Sequence, residues 1–296
     1  MELRHLRYFI AVAEELHFGR AAERLHMAQP PLSQQIRQLE EQLGFQLFHR
    51  TKRTVQLTEA GTVFLDRCQQ LLLQFDQAIQ DGQQASRGEI GKLAIGFVSS
   101  TAYSVLPSML HQFRRQVPGV ALTLRELTTD QQVQWLRDKR IDVGFLRPPV
   151  DDPDFEMITV LREPLVVALP EQHPLAQIDP VPLRLLASEP FILFPRRLAT
   201  GLYDQIISLC QQANFSPRVV QEAIQIQTII SLVAAEMGIA IVPVSIQNLQ
   251  RTGVVYRHLR EPTPEAAIAV VWRHQDTSPT VRQFLNVVNQ ITNTKQ

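Results

Sequence analysis

The sequence predicts an α/β protein in which three short helices, one long helix and a larger α/β region follow one another. Apolar residues recur at helical spacing in three short segments before residue 44. One long apolar stripe without proline then runs from about residue 58 to residue 84. From residue 91 onward, short apolar runs alternate with helical patterns, which is typical of α/β folds with mostly parallel sheets.

The first three helices must share one small core. Isolated helices shorter than ~12–15 residues are marginal in water, so segments this short have to pack together. Their apolar stripes are Leu3, Leu6, Ile10 and Ala13, then Ala21, Ala22 and Leu25, then Leu32, Ile36, Leu39 and Leu43. The opposite face of the third helix is left free to contact another molecule.

This free face contains side chains that suit DNA. Glutamine and arginine make bidentate contacts with adenine and guanine in the major groove, where the second helix of a helix-turn-helix lies. A solvated polar face is the alternative for these residues taken alone. The DNA contacts predicted on the third helix are Gln29, Pro30, Pro31, Ser33, Gln34 and Arg37, with both prolines in the first turn.

A basic hairpin follows and favours the DNA interpretation. Residues 48–57 (FHRTKRTVQL) predict a strand, a cationic tip and a return strand, which together form a wing. Arg50, Lys52 and Arg53 are expected to neutralise backbone phosphates, and one of them could enter the minor groove. Acidic residues leave residues 1–58 only weakly basic, so several copies should have to act together on DNA.

Residues 1–61 closely resemble the DNA-binding domain of LysR-type transcriptional regulators. The likeness rests on LRYF at 6–9, HFGRAA at 17–22, QPPLS at 29–33, LE at 39–40, LG at 43–44, LF at 47–48 and LTEAG at 57–61. Length and organisation fit the same family over the whole chain. The opening MELRHLRYF and the AQPPLS segment look most like the branch that regulates aromatic-compound catabolism in response to muconate or benzoate.

The resemblance implies three domains. The expected ranges are 1–58 for the winged helix-turn-helix, 59–88 for a linker (dimerisation) helix and hinge, and 89–296 for an effector-binding domain. That domain is expected to be similar to periplasmic solute-binding proteins, with two α/β lobes and a cleft between them. Lobe one would cover about 91–161 plus 268–296, and lobe two about 162–267.

The long helix has an apolar stripe that resembles a coiled-coil seam. Its partner would be the same helix of a second subunit, and packing on the chain's own domains is the alternative. The family resemblance favours the dimer and usually implies a tetramer, formed as a dimer of dimers. Gly82, Ser86, Gly88 and Gly91 predict a hinge after the helix. The stripe consists of Val63, Phe64, Cys68, Leu71, Leu72, Phe75, Ala78 and Ile79.

Two hydroxyl-rich turns are candidates for ligand binding. Ser99, Ser100 and Thr101 follow the first predicted strand (92–98), and Thr128 and Thr129 follow the second (121–127). Ligands in open α/β sheets bind beyond the carboxyl ends of strands, and the N–H groups at helix N-termini suit a carboxylate. Ordinary helix caps are the alternative for these hydroxyls.

Matching positions in the aromatic-catabolism branch contact the inducer. The resemblance places Ser99, Ser100 and Thr129 at its carboxylate, Thr200, Gly201 and Leu202 on the opposite wall, and Ile268 near the crossing strands. Arg147 and Glu163 match a second, buried inducer site in part of that branch, and a plain salt bridge between them is the alternative. Residues 195–202 depart from the branch pattern, and Arg196 and Arg197 would add positive charge if they face the cleft.

Composition points away from other classes. The 29 basic and 29 acidic residues balance, which argues mildly against a nonspecific nucleic-acid coat. No apolar run approaches the ~18 residues of a membrane span, and the N-terminus lacks a secretory pattern, so a cytoplasmic protein is expected. Cys68 and Cys210 predict two small buried side chains and no disulfide framework.

An enzyme is the main alternative class. The chain contains no HExxH, GxSxG, P-loop or GxGxxG motif, and its eight histidines show no metal-ligand spacing, so no metal or other cofactor is predicted. A ligand-binding protein that uses its helix-turn-helix for protein contacts is the second alternative. The expected partners are double-stranded DNA, a small carboxylate-bearing effector, further copies of the chain and RNA polymerase, with no membrane. A non-aromatic or neutral metabolic signal is the alternative effector.

Overall fold

The computed structural model describes residues 1–51 and 54–294. The chain divides into two compact units, of which the first ends at Gln83 and the second begins at Gln84. Within the described residues, no helix is both long enough and apolar enough to span a bilayer.

The first unit contains the predicted helices and wing. Its leading elements are α1 (Leu3–Glu15), α2 (Phe18–Arg24), α3 (Gln29–Leu43), β1 (Phe48–Arg50) and β2 (Val55–Leu57). β1 and β2 pair antiparallel, with Phe48 opposite Leu57. The apolar faces of the three helices meet in one core, where Phe9, Leu32 and Ile36 are fully buried. The predicted helix-turn-helix and its wing are therefore confirmed.

A single long helix, α4 (Glu59–Arg87), follows the wing. At its start, Thr58 Oγ accepts a hydrogen bond from the Gly61 N–H (2.8 Å) and donates one to the Gln46 carbonyl (2.7 Å). Gly61 has no room for a side chain, because a Cβ would lie 2.1 Å from the Leu47 carbonyl oxygen. The first turn of α4 is therefore fixed against the segment between α3 and the wing.

Two of the four residues that were predicted to form a hinge lie inside α4. Gly82 and Ser86 lie inside α4, so neither interrupts the helix. The chain leaves the helix at Gly88, which adopts a left-handed φ of +72°, and a Cβ there would lie 2.5 Å from the Pro279 carbonyl oxygen. Glycine is required at this position both by its conformation and by the close backbone contact.

The second unit alternates strands and helices. Its elements are β3 (Ile90–Phe97), α5 (Leu106–Gln116), β4 (Gly119–Glu126), α6 (Thr129–Arg137), β5 (Val143–Leu146), β6 (Phe155–Glu163), β7 (Leu165–Pro170), β8 (Pro190–Leu193), α7 (Thr200–Gln212), β9 (Arg218–Glu222), α8 (Ile226–Ala234), β10 (Ala240–Pro243), β11 (Val254–His258), β12 (Ala266–Arg273) and α9 (Pro279–Thr294). The strands predicted at 92–98 and 121–127 are present as β3 and β4, with ends that differ by one or two residues.

Two lobes form around separate sheets. Lobe one has a five-stranded sheet in the order β4-β3-β5-β12-β6, and lobe two has a β10-β7-β11 sheet and a parallel β8-β9 pair. Helices α5 and α9 pack together on lobe one, where the rings of Phe113 and Phe284 meet edge to face at 5.3 Å. Helices α7 and α8 bury Ile206 and Ile229 in the core of lobe two.

The prediction of mostly parallel sheets is wrong. β3 pairs parallel with β4 and β5, but β12 runs antiparallel to β5 and β6, and β7 runs antiparallel to β10 and β11. A pattern of alternating strands and helices locates strands without giving their direction. Glu163 pairs with Ala266, so the crossing strands extend lobe one past the predicted boundaries at 161 and 268.

Candidate functional site

Helix α3 presents the polar face that was predicted to read DNA. The exposed residues on it are Gln29, Pro30, Pro31, Gln34 and Arg37, and Ser33 is half-buried. The opposite face, with Leu32, Ile36 and Leu39, fills the core. Ala28 makes no side-chain cap before the helix, and Pro30 and Pro31 have no N–H, so Gln29 keeps the backbone donor of the first three positions.

Helix α2 supports α3 and begins with a histidine cap. His17 Nδ1 accepts hydrogen bonds from the backbone N–H groups of Gly19 (3.1 Å) and Arg20 (3.2 Å). A Cβ on Gly19 would approach the His17 ring to 2.9 Å, so glycine leaves room for the capping side chain. The HFGR motif at 17–20 is therefore explained by the start of this helix.

The wing departs from the prediction at Arg50. Its guanidinium bonds to the buried Glu40 carboxylate at 2.5 Å and lies 5.1 Å from the centroid of the Phe18 ring. A cation already paired with a carboxylate contributes little net charge for phosphates, and the phosphate contact of Arg50 stays a prediction. Lys52 and Arg53, the other predicted wing cations, lie outside the described residues.

A cavity of about 50 Å³ lies between the two lobes of the second unit. Lobe one contributes Val98, Ser99, Ser100, Leu127, Thr128, Thr129 and Arg147 to its walls. Lobe two contributes Phe194, Leu198, Ala199, Leu202, Ile224, Gln225, Ile226 and Pro243. Mostly apolar walls with a few converging polar groups are typical of small-molecule sites.

Five of the predicted effector residues reach this cavity. Ser99, Ser100, Thr128, Thr129 and Leu202 all line it. Ser99 and Ser100 lie in a 3-10 turn at the end of β3, and Thr128 and Thr129 lie at the start of α6. The two hydroxyl-rich turns are therefore adjacent, as expected for neighbouring strands, and their contact with an effector stays a prediction.

Two other hydroxyls have local structural roles. Thr101 is fully buried, and its hydroxyl donates to the Val98 carbonyl at 2.7 Å. Thr200 is exposed, and its hydroxyl donates to the Arg196 carbonyl at 3.1 Å. Both hydroxyls stabilise the turns in which they lie. Thr101 and Thr200 are not among the residues that line the cavity, and their effector contacts stay predictions.

Gly201 and Ile268 also lie away from the cavity walls. A Cβ on Gly201 would lie 2.5 Å from the Pro148 carbonyl oxygen, so this glycine allows the backbone of α7 to approach lobe one. Ile268 is fully buried in the lobe-one core, because its position in β12 points the side chain toward the packed helices. Ile268 is therefore not among the residues that line the cavity, and its effector contact stays a prediction.

Arg147 supplies the positive charge of the cleft. Its guanidinium donates to Ser100 Oγ at 2.9 Å and to the Ala267 carbonyl at 3.3 Å. Burial lowers the pKa of Arg147 to about 10, although the charge of Glu163 acts in the opposite direction. The side chain therefore remains a cation at neutral pH in a site where water screens it weakly.

The predicted salt bridge between Arg147 and Glu163 does not form. Among the described residues, the Arg147 guanidinium has no carboxylate oxygen within the 4.0 Å of an ion pair. The buried Glu163 carboxylate instead accepts hydrogen bonds from the Ser245 N–H (2.7 Å) and hydroxyl (3.0 Å). Glu163 therefore joins the end of β6 to lobe two, and Arg147 has no direct ion-pair partner beside the cavity, although the charge of Glu163 still acts on it.

The helix N-termini at the cleft differ from each other. At the start of α6, Thr128 and Gln131 form a capping box in which Gln131 Oε1 accepts the Thr128 N–H (3.1 Å). Helix α8 follows Gln225, which makes no side-chain cap. Because Gln225 and Ile226 line the cavity, the open first turn of α8 adds a partial positive charge on the lobe-two side.

Arg196 and Arg197 do not add charge to the cavity walls. Arg196 forms a two-point ion pair with Asp204 (2.8 and 2.9 Å), and this pairing holds the pKa of the carboxyl below its usual value. Arg197 is exposed and is not among the residues that line the cavity.

Both cysteines are buried and unpaired, as predicted. Burial raises the pKa of the Cys68 thiol to about 11 and that of the Cys210 thiol to about 12, so both stay protonated at neutral pH. In the part of the chain that the structure describes, no His, Cys, Asp and Glu side chains are grouped to hold a metal ion.

A helix-turn-helix with an exposed polar face, joined to a two-lobed domain with a charged cleft, defines a ligand-responsive DNA-binding regulator. Two family models match the chain. Residues 3–62 match the bacterial regulatory helix-turn-helix protein, lysR family, and residues 86–292 match the LysR substrate binding domain. The chain belongs to the LysR family of transcriptional regulators.

Relatives and solved structures agree with this assignment. The chain is 43% identical over 297 residues to the HTH-type transcriptional regulator AlsR of Bacillus subtilis, covering 100% of this chain and 98% of that protein. It is similar to full-length CbnR in complex with its target DNA, with a TM-score of 0.88 and 28% identity over 99% of this chain and 100% of that one. Its relatives are therefore regulators of transcription and not enzymes.

A second similar structure contains a bound effector. The chain matches the BenM effector binding domain with its effector benzoate, with a TM-score of 0.60 and 28% identity, covering 70% of this chain and 94% of that one. The second unit thus resembles a domain that binds a small aromatic carboxylate.

Proposed function

We propose that this chain is a homo-oligomeric LysR regulator whose DNA binding is modulated by a small carboxylate held between the lobes of its effector domain. The observation that carries the proposal is Arg147, a partly buried cation beside the cavity without a carboxylate partner. An unpaired buried charge is costly, and an incoming anion would offset that cost.

The polar groups around Arg147 favour a carboxylate over other ligands. Ser99, Ser100 and Thr129 provide hydroxyl donors from lobe one, and the open first turn of α8 provides N–H donors from lobe two. An anion placed among them would bond to both lobes. Binding would therefore stabilise one relative arrangement of the lobes, as modulation of a regulator requires.

The effector class follows from the same site. The benzoate bound in the BenM effector domain supports a benzoate- or muconate-like compound as the leading candidate and the aromatic-catabolism branch as the origin of this chain. The cavity of about 50 Å³ is small for a six-carbon ring, so shorter carboxylates belong in the same test. A neutral or non-aromatic metabolic signal remains the second candidate.

Self-association is proposed from the surface of α4. Leu71, Phe75 and Ile79 are exposed along one side of the helix. A second copy of α4 would bury these side chains and place two recognition helices on a two-fold symmetric operator. The family resemblance extends this dimer to a tetramer that acts on DNA in the cytoplasm, with RNA polymerase as a further partner.

Only part of the predicted seam is available to a second copy. Phe64 packs against Phe9 (5.3 Å between ring centroids) and Phe45 (6.0 Å), and Cys68 is fully buried in the same core. These two residues join the first turns of α4 to the helix-turn-helix. The dimer contact is therefore proposed to begin near Leu71, within a linker helix at 59–88 between DNA-binding (1–58) and effector (89–296) domains.

A thermal-shift screen of the full-length protein tests the effector proposal. Benzoate, cis,cis-muconate and acetate are each compared with the matching uncharged amide at equal concentration. A carboxylate present at ~100 times its dissociation constant should add about 2.7 kcal/mol of stability. Stabilisation by an amide as strong as that by its carboxylate would contradict the anion site, and stabilisation by neither would remove this ligand class.

A further inference from the structure

One buried carboxylate connects the recognition helix to the wing. Glu40 lies in α3 and is only 4% exposed. Its Oε1 atom accepts hydrogen bonds from the backbone N–H groups of Leu47 (2.9 Å) and Phe48 (3.2 Å), and its Oε2 atom accepts one from Arg50 Nη2 (2.5 Å). Leu47 precedes the wing, and Phe48 and Arg50 form its first strand. All three donors therefore lie outside the helix that holds the acceptor.

Two aromatic rings also contact the Arg50 side chain. Its guanidinium lies 5.1 Å from the centroid of the Phe18 ring and 6.0 Å from that of Phe48. Phe18 belongs to α2, so Arg50 contacts α2, the recognition helix α3 and its own strand β1. Cation–π contacts add to the ion pair when the cation is partly desolvated, and the Arg50 side chain is only 24% exposed.

We infer that Glu40 and Arg50 are positioning residues that fix the wing relative to the recognition helix. DNA specificity in a winged helix-turn-helix requires base contacts from the helix and backbone contacts from the wing in one register. The wing has only two three-residue strands, which give it little rigidity of its own. The Glu40 carboxylate supplies that rigidity, and Arg50 acts through it instead of neutralising a phosphate.

Two interpretations of Arg50 predict opposite results for Glu40. If DNA binding depended on net charge alone, removal of the Glu40 charge would strengthen binding to every duplex. The positioning role predicts weaker specific binding, because Glu40→Gln presents an amide N–H to the Arg50 guanidinium and disrupts the link. The sign of the change therefore separates the two roles.

The chain offers a matched control at the next position. Glu41 is exposed on α3, and its substitution by glutamine removes the same charge from the same helix. Specific binding is measured with a duplex selected by the native full-length protein from a randomised library, and nonspecific binding with a scrambled duplex of equal length and composition. Glu40→Gln should weaken specific binding by about tenfold or more and leave nonspecific binding within about twofold. Glu41→Gln should weaken neither.

A salt titration of Arg50→Met completes the test, since this variant keeps Glu40 and its two backbone hydrogen bonds. A positioning residue leaves the dependence of log affinity on log salt unchanged for the scrambled duplex, whereas loss of one phosphate contact lowers that slope by about 0.9. Should Glu40→Gln fail to fold by circular dichroism, the Arg50→Met slope decides alone. Tighter binding by Glu40→Gln, or a reduced slope for Arg50→Met, would overturn the inference.

Discussion

The two units place their candidate contacts in opposite environments. On α3, Gln34 and Arg37 are exposed to solvent, and on α4 Leu71 and Phe75 are exposed as well. In the second unit, Arg147 and Ser100 lie within a cleft and are bonded to each other at 2.9 Å. The first unit thus offers surfaces to macromolecules, whereas the second offers an enclosed site to a small molecule.

Arg50 and Arg147 differ in the carboxylates that lie near them. Arg50 lies in a basic hairpin and was expected to contact an external anion, but a buried carboxylate neutralises it. Arg147 had a plausible internal partner in Glu163, yet Ser245 takes that carboxylate and Arg147 keeps its charge. The availability of a cation therefore depends on the carboxylates that the fold brings near it and not on the charge of its neighbours in sequence.

The largest expected effect concerns the outward apolar surface of α4. Leu71→Glu should abolish dimer formation at micromolar concentration, because it places a charge within the proposed seam. Leu73 is 71% exposed and Leu71 is 53% exposed, but Leu73 lies about 200° further around the helix. Leu73→Glu is thus the matched control and should stay oligomeric by sedimentation velocity. Equal behaviour of the two variants would show that the seam lies elsewhere.

The enclosed site should be nearly as sensitive. Arg147→Met removes the charge but keeps most of the side-chain length, and loss of a buried charged contact typically costs ~2–5 kcal/mol. Calorimetry with the best carboxylate of the screen should therefore show at least about a 30-fold weaker dissociation constant. Arg197→Met, at an exposed arginine of lobe two, should bind like the native protein. A normal affinity in Arg147→Met would show that Arg147 does not contact the ligand.

Single contacts on the recognition helix should have smaller effects. Gln34→Ala should weaken binding to the selected duplex by ~1–3 kcal/mol, which is the usual loss for a good base contact, and should leave scrambled duplex unchanged. Gln42 is exposed near the other end of α3, and Gln42→Ala serves as the control. Electrophoretic mobility shifts measure both. Unchanged discrimination in Gln34→Ala would contradict the assignment of this face.

The smallest effect distinguishes a helix cap from a ligand contact at the cleft. Thr128 starts α6 in a reciprocal arrangement with Gln131. Thr128→Ala should lower stability by about 1 kcal/mol, or the melting temperature by about 2–4 °C, whereas Thr128→Ser keeps the hydroxyl and the stability. If the alanine variant melts like the native protein but binds the carboxylate more weakly, Thr128 is a ligand contact instead of a cap.

Sequence patterns were sufficient to predict which helix face of the first unit is buried and which is exposed. The stripe Leu32, Ile36 and Leu39 predicts which side of α3 is buried, because helical periodicity is a local property, and the polar face follows directly. The strands at 155–163 and 254–258 and the last helix at 279–294 were not predicted, although Val281, Phe284, Leu285 and Val288 recur at helical spacing in that helix. Strand direction was also missed, since it depends on how distant segments pair and not on local composition.

The cleft was only partly predictable. The rule that ligands lie beyond strand ends places Ser99, Ser100, Thr128 and Thr129 together, and the structure agrees. It does not show that Thr101 bonds to its own turn or that Ile268 points into the core. Nor does it reveal that the open N-terminus of α8 lies at the cleft. That placement depends on how lobe two packs against lobe one and not on a local sequence pattern.

A carboxylate bound at Arg147 is proposed to change how the oligomer engages DNA. The most direct measurement is a footprint of the native protein on its selected duplex, with and without a saturating carboxylate from the screen, beside the same pair for Arg147→Met. With the native protein, the carboxylate should alter the protected pattern or the affinity for the duplex, and it should leave the Arg147→Met footprint unchanged. An identical native footprint with and without the bound carboxylate would contradict the claim, because a ligand without a differential effect on two states cannot regulate.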